Sequence, residues 1–353
     1  MATWVVAQSA GVPTIDVSAL VATGTARRGP DDPDVRLAGE ALVAAAERPG
    51  VFQVVGHGVD VELRRRLEAA AREFFALDPE EKARIAMPRA GRAWRGWFPL
   101  GGELTSGVPD GKEGIYFGTE LPPDHPAVVA GTPLHGANLF PERPAELGPL
   151  VLRWIDEVTR VGRAVLRGLA IGMGLEPDWF DGWCAEPTVL FRIFHYPARG
   201  ADDAPWGVGE HTDYGLLTLL AQDQTGGLEV RVDDEWVPVP TDERAFVCNL
   251  GDMLERLSAG RFVATPHRVR RPDADRISMP LFLDPGWDVH VRALPAAVSG
   301  TDRPRRHERW DGEDVHLVDG PYSEYLLSRV ARVFPDLFAV VAADVDGGSD
   351  RGV

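Results

Sequence analysis

Five residues of this chain have types and spacing that suit redox chemistry at a metal. His211 and Asp213 lie two positions apart, and in extended backbone such side chains point to the same side. His267 follows in a second β-prone run, Thr265–Val269. Two neutral imidazoles and one carboxylate on one face of a metal form the donor set of non-haem Fe(II), with open positions opposite. Zn²⁺ on His₂Asp is the chemical competitor. Arg276 and Ser278 come next, after the turn Arg271–Asp275. A hairpin there sets the two strands side by side, and Arg276 and Ser278 then share a face. Both donate hydrogen bonds, and an arginine fork grips a carboxylate with two of them. A zinc hydrolase does not need such a clamp beside its metal. An iron oxygenase that anchors a keto acid does.

The elements that must carry these residues are short strands. From about residue 187, β-prone runs alternate with turns: Val189–Tyr196, Leu216–Ala221, Leu228–Val232, Trp236–Val239, Ala245–Asn249, His267–Arg270 and Arg276–Leu283. Close spacing of this kind predicts a sandwich or barrel. Earlier, Ala38–Glu47 reads as a short helix and Val51–Val55 as an apolar strand. Asp60 reads as the cap of a helix bearing Leu63, Leu67, Ala70, Phe74 and Leu77 on one face. Asp78, Pro79, Glu80 and Glu81 start another helix. Residues 90–145 read as long loops with short strands. Leu150–Leu175 is the strongest helix, a last one spans about Pro321–Val333, and residues 347–352 read as a disordered tail.

Composition narrows the chemistry. The 353 residues carry a formal charge of −17, which argues against nucleic acid and anionic membranes as partners. No run of about 18 apolar residues marks a membrane span, and the start lacks the basic segment of a signal peptide. Cys184 and Cys248 make no CxxC and no disulfide framework, which suits a reduced, cytoplasmic protein. Of 37 basic residues only Lys82 and Lys112 are lysine, so Schiff-base chemistry would have to use one of them. Neither GxxxxGK[ST] nor GxSxG occurs, and nucleotide triphosphatases and serine hydrolases lose their usual signatures.

The pattern His211-x-Asp213, His267, Arg276-x-Ser278 resembles the signature of the iron(II)- and 2-oxoglutarate-dependent dioxygenases. More narrowly, it resembles the isopenicillin N synthase-like branch in its bacterial form. Gly209–Leu220, Gly226–Leu228, Asn249–Met253 and Pro280–Phe282 match that branch in order and spacing. Val54–Val59, Arg95–Pro99 and Lys112–Phe117 resemble its amino-terminal region, so the likeness covers roughly residues 12–335. It implies a mainly β fold with flanking helices around a double-stranded β-helix, a cupin-like jelly roll. It divides the chain into an N-terminal mixed α/β region (1–186), an oxygenase core (187–300) and a C-terminal helix and tail (301–353), all in one compact unit.

The resemblance also implies roles. Fe(II) sits on His211, Asp213 and His267. The co-substrate 2-oxoglutarate chelates it and reaches Arg276 and Ser278 with its distal carboxylate, with Tyr196 adding a hydrogen bond. O₂ takes the last position. Succinate and CO₂ leave, and a small-molecule substrate, amino-acid-derived or a secondary metabolite, is hydroxylated, desaturated or cyclised. Phe194 stands where plant members often have Asn near the 2-oxoglutarate. Isopenicillin N synthase keeps an Arg-x-Ser for its substrate's carboxylate, so an iron oxidase independent of 2-oxoglutarate is the alternative reading. An ethylene-forming 2-oxoglutarate reaction is a further variant, and a non-catalytic binding protein a third class. Arg192, Phe194 and Phe282 are candidate substrate contacts, Arg192 for an acidic group or else as a salt-bridged strand residue. Arg95–Lys112 is a candidate lid. Asn249 and Asp252 read as turn-holding residues. His57, His125, His135, His195, His290, His307 and His316 read as structural or exposed, and the protein as a monomer or homodimer.

Overall fold

Strands of the larger sheet that are buried along nearly their whole length build the frame of the site. A computed structural model describes residues 5–9, 11–22, 28–105, 107–200, 206–294, 312–335 and 338. The expected tail and His307 lie outside them. In chain order the strands are β1 Val5–Ser9, β2 Val12–Asp16, β3 Val51–Val55, β4 Gly96–Phe98, β5 Glu113–Gly118, β6 Pro187–Tyr196 and β7 Trp206–His211. They continue as β8 Leu217–Gln222, β9 Leu228–Val232, β10 Glu235–Pro238, β11 Phe246–Leu250, β12 His267–Arg270 and β13 Arg276–Gly286. The larger sheet runs β1-β2-β3-β11-β8-β13-β6-β5-β4, and the smaller β10-β9-β12-β7. Ser278 and Phe282 from the larger sheet and Val208, Val230 and Val269 from the smaller line one shared cavity. This is the expected jelly roll. Strands from before residue 187 extend its larger sheet on both sides.

The expected hairpin between the His267 and Arg276 strands does not form. β12 pairs with β7 and β9, whereas β13 pairs with β6 and β8. A strand has two edges, and both edges of each are taken. The turn at 271–275 therefore crosses from one sheet to the other, and the two strands meet across the barrel interior.

Helices brace the outside of the larger sheet. Pro33–Glu47 starts earlier than the apolar pattern suggests, because Asp32 caps Asp34 N at 2.9 Å and Pro33 takes the first turn. Val61–Phe75 begins at its expected cap, Asp60, and ends before Leu77. Leu147–Gly172 buries Val151, Ile155, Val158, Val165 and Leu169. It lies close against β13 and β8: a Cβ on Gly162 would stand 2.8 Å from Leu283 and 3.1 Å from Leu219. The strand β7 and the helix Asp252–Leu257 escaped the sequence reading. Among the described residues no helix is long and apolar enough to cross a membrane.

Gly39 and Gly172 let the helices Pro33–Glu47 and Leu147–Gly172 touch backbone to backbone. A Cβ on Gly172 would lie 2.2 Å from Gly39 O, so a methyl must push the helices apart. Gly172→Ala is expected to cost roughly 1–3 kcal/mol, read as a fall in thermal midpoint.

Candidate metal centre and cavity

His267 is the register partner of His211, and their ring centroids are 4.2 Å apart. Asp213 lies two residues past the end of β7, with Oδ1 3.7 Å from His267 Nε2. One potential ligand atom from each of the three lies within 4.8 Å of the others. The imidazoles are oriented by main chain: His211 Nδ1 is 2.9 Å from Gly209 O, and His267 Nδ1 is 3.0 Å from Thr265 O. Each Nδ1–H donates to its carbonyl, which leaves Nε2 with its lone pair.

Asp213 is not held by strand alternation, because β7 stops at His211. Its Oδ2 accepts from Thr218 Oγ1 at 2.5 Å and Asn249 Nδ2 at 2.6 Å, and its main-chain carbonyl accepts from Asp252 N at 2.8 Å. Oδ1 stays available for a metal. Burial pushes the His211 imidazole down to about 3, with His267 adding to the effect. Burial alone would raise the Asp213 carboxyl. The two imidazoles and the hydrogen bonds from Thr218 and Asn249 hold it below its ordinary value instead. At neutral pH the set thus has neutral imidazole at His211 and an ionised carboxylate at Asp213, the states a divalent metal needs. Asn249, read from sequence as a turn residue, lies in β11 and steadies a candidate ligand. Asp252 opens a helix and accepts from Tyr325 Oη at 2.5 Å.

The candidate clamp residues share the inner face of β13. Arg276, Ser278, Pro280, Phe282 and Asp284 alternate into the cavity, and Leu190, Arg192, Phe194 and Tyr196 do so from β6. Arg276 is paired with Tyr196, and Ser278 with Phe194. Arg276 is 0% exposed. Its Nη2 donates to Gln222 Oε1 at 3.2 Å, its guanidinium lies 4.8 Å from the Tyr196 ring, and Nε and Nη1 have no hydrogen-bond partner. Gln222 carried no signal in the sequence. It enters because β8 lies beside β13.

Arg192 is not a salt-bridged strand arginine: among the described residues it has no ion pair. It is buried, lies 3.4 Å over the Tyr116 ring, and spends Nη1 on the carbonyls of Phe117 and Phe191. Phe194 and Phe282 both line the cavity. The candidate lid contributes Glu103, Thr105 and Lys112 to the same wall, and the final helix, Tyr322–Val333, contributes Leu326, Val330 and Val333. Leu104 N donates to Val333 O at 3.2 Å, tying the two together. Neither lysine is a free amine: Lys82 Nζ is 2.9 Å from Glu113, and Lys112 Nζ is 2.5 Å from Asp110. The two acids beside Lys112 outweigh burial and keep its ammonium charged. His57 is structural, with Nε2 2.9 Å from Arg244 O and Nδ1 accepting from Val59 N.

Residues 187–285 match the 2OG-Fe(II) oxygenase superfamily, and residues 12–143 match the family described as non-haem dioxygenase in morphine synthesis N-terminal. An iron/ascorbate oxidoreductase of Dictyostelium discoideum is 42% identical over 327 residues, 86% of this chain and 90% of that protein. A homoarginine-6-hydroxylase of Glycine max is 33% identical over 92% of this chain and 98% of its own length. A 2OG-Fe(II) oxygenase family protein from Caulobacter crescentus superposes with a TM-score of 0.73 at 26% identity, over 91% of this chain and 99% of that one.

Two outcomes follow from the geometry. Asn249→Ala is expected to weaken Fe(II) binding by roughly 10- to 100-fold, measured by anaerobic titration, because Asp213 loses a donor that aims it. Burial pushes the Asp284 carboxyl up to about 7, against the hydrogen bond from Tyr322. The folded protein therefore keeps a proton that the unfolded chain sheds from about pH 4 upward. Stability falls between about pH 4 and 7 and stays lower above. Asp284→Asn in the metal-free protein should remove that decline, gaining at most ~4 kcal/mol at pH 8 and little at pH 4.

Proposed function

The chain belongs to the 2OG-Fe(II) oxygenase superfamily, and from that premise we propose that it hydroxylates an amino-acid-derived small molecule while 2-oxoglutarate is converted to succinate and CO₂. It is an oxidoreductase of the dioxygenase kind, using Fe(II), 2-oxoglutarate and O₂. When bound, iron and keto acid supply the oxidising power, and the protein supplies position and shielding. His211, Asp213 and His267 hold the iron in this reading. Arg276, Ser278 and Tyr196 receive the distal carboxylate of 2-oxoglutarate.

One observation carries the co-substrate assignment. Arg276 is fully buried with Nε and Nη1 unpartnered. A buried cation left this way is costly, and a carboxylate with two oxygens supplies the missing acceptors. Ser278 adds a hydroxyl on the same inner row. Arg192, Phe194 and Phe282 then face the substrate, Arg192 toward an acidic group. The homoarginine hydroxylase among the relatives agrees with an amino-acid-derived substrate. We assign the chain to the isopenicillin N synthase-like branch in its bacterial form on its motifs, although both curated relatives described above are eukaryotic.

Fe(II)-loaded protein, kept anaerobic and given 2-oxoglutarate, is expected to develop a saturable visible charge-transfer band. Arg276→Ala should lose it at the same concentration, and His211→Ala should lose iron-dependent turnover. Iron binding without the band would turn the assignment toward an oxidase of the isopenicillin N synthase type, with Arg276 and Ser278 on the substrate's carboxylate.

A further inference from the structure

The substrate end of the cavity holds two opposite charges on one aromatic ring. Tyr116 of β5 is the register partner of Arg192 of β6. The Arg192 guanidinium lies over its ring, and the Tyr116 hydroxyl donates to Glu103 Oε1 at 2.5 Å. Burial and the Glu103 carboxylate push the Tyr116 phenol well up, so it remains a donor. Glu103 comes from the candidate lid, lines the cavity and is 6% exposed.

Glu103 has an acceptor to spare. Glu103 and Asp110 share one ammonium, that of Lys112. Lys112 Nζ makes its aligned hydrogen bond to Asp110 Oδ2. It stands 2.9 Å from Glu103 Oε2 as an ion pair, but out of hydrogen-bonding line, and Oε2 has no other donor. Arg192 has the complementary deficit, a buried cation with no carboxylate partner among the described residues. Phe282, Leu326, Val330 and Phe334 line the same cavity.

We propose that Glu103 receives the ammonium of the substrate and Arg192 its carboxylate, so that the substrate class is free α-amino acids. Adjacent ammonium and carboxylate groups match an adjacent acceptor and donor, each charged. A simple carboxylic acid would satisfy Arg192 but leave Glu103 Oε2 without a hydrogen-bond donor. An amine alone would leave Arg192 unpaired. A neutral amide would meet two buried charges with dipoles only. Glu103 and Arg192 are specificity-determining residues in this account. The proposal rests on the oxygenase reading in taking this cavity as the substrate chamber.

The test uses intact protein loaded anaerobically with Fe(II) and 2-oxoglutarate, with binding followed by thermal shift and calorimetry. The probes are the proteinogenic L-amino acids and L-homoarginine, and, for whichever binds best, its des-amino carboxylic acid. At least one amino acid should bind saturably, and its des-amino analogue should bind roughly 10- to 100-fold more weakly. Glu103→Gln should weaken the amino acid by a similar factor and abolish the preference over the des-amino acid. Retention of the charge-transfer band in that variant shows that its fold and co-substrate site persist. If the substitution misfolds the lid, the comparison of the two ligands on unaltered protein still decides. Failure of every amino acid to bind, or equal binding of the des-amino acid to unaltered protein, overturns the proposal. Loss of the band in unaltered protein would instead strike at the oxygenase reading.

Discussion

Both imidazoles of the candidate metal centre depend on one rung of the smaller sheet, the pairing of His211 with His267. A rung fixes two side chains on one face within a few ångströms whatever the loops around them do. Main-chain carbonyls at Gly209 and Thr265 then set both rings, so neither histidine relies on another side chain for its orientation. The third group is anchored differently. Asp213 lies beyond the strand and depends on the larger sheet, through Thr218 of β8 and Asn249 of β11. The centre therefore exists only when the two sheets face each other, and closure of the jelly roll is the condition for chemistry.

Closure also explains the electrostatics. Two inner rows, from β6 and β13, run from Arg276 and Tyr196 at one end to Leu190 and Asp284 at the other. A polar group on these rows is removed from water, and its cost depends on what it finds there. Arg276 finds one amide and an aromatic face. Asp284 finds a tyrosine hydroxyl and is pushed toward neutrality. Arg192 finds Tyr116. The unmet donors of Arg276 lie inside the cavity, as expected of a chamber whose contents complete it.

The outer elements have a distinct part. Leu147–Gly172 supports the backs of β8 and β13, the strands that carry Thr218, Arg276 and Ser278. The lid and the final helix close the cavity from the other side and are joined by Leu104 and Val333. Lys112 contributes neither a nucleophile nor a base. Its ammonium gathers Glu103 and Asp110 and so holds the lid's acids in the wall.

The residue types and their order were enough to indicate a candidate donor set, a candidate carboxylate clamp and a β-rich core, because ligand chemistry admits few side chains and strand periodicity is local. The cap at Asp60 and the long apolar helix were legible for the same reason. Partners across the chain were not. The strand that pairs with His267, the amide that reaches Arg276, the Asn249 donor that holds Asp213 and the ring that joins Glu103 to Arg192 lie tens of residues from their partners. They are fixed by strand register and by which edges remain open. A turn such as 271–275 reads as a hairpin in one dimension. Only the prior occupation of both strand edges, a property of the folded barrel, sends it across to the opposite sheet.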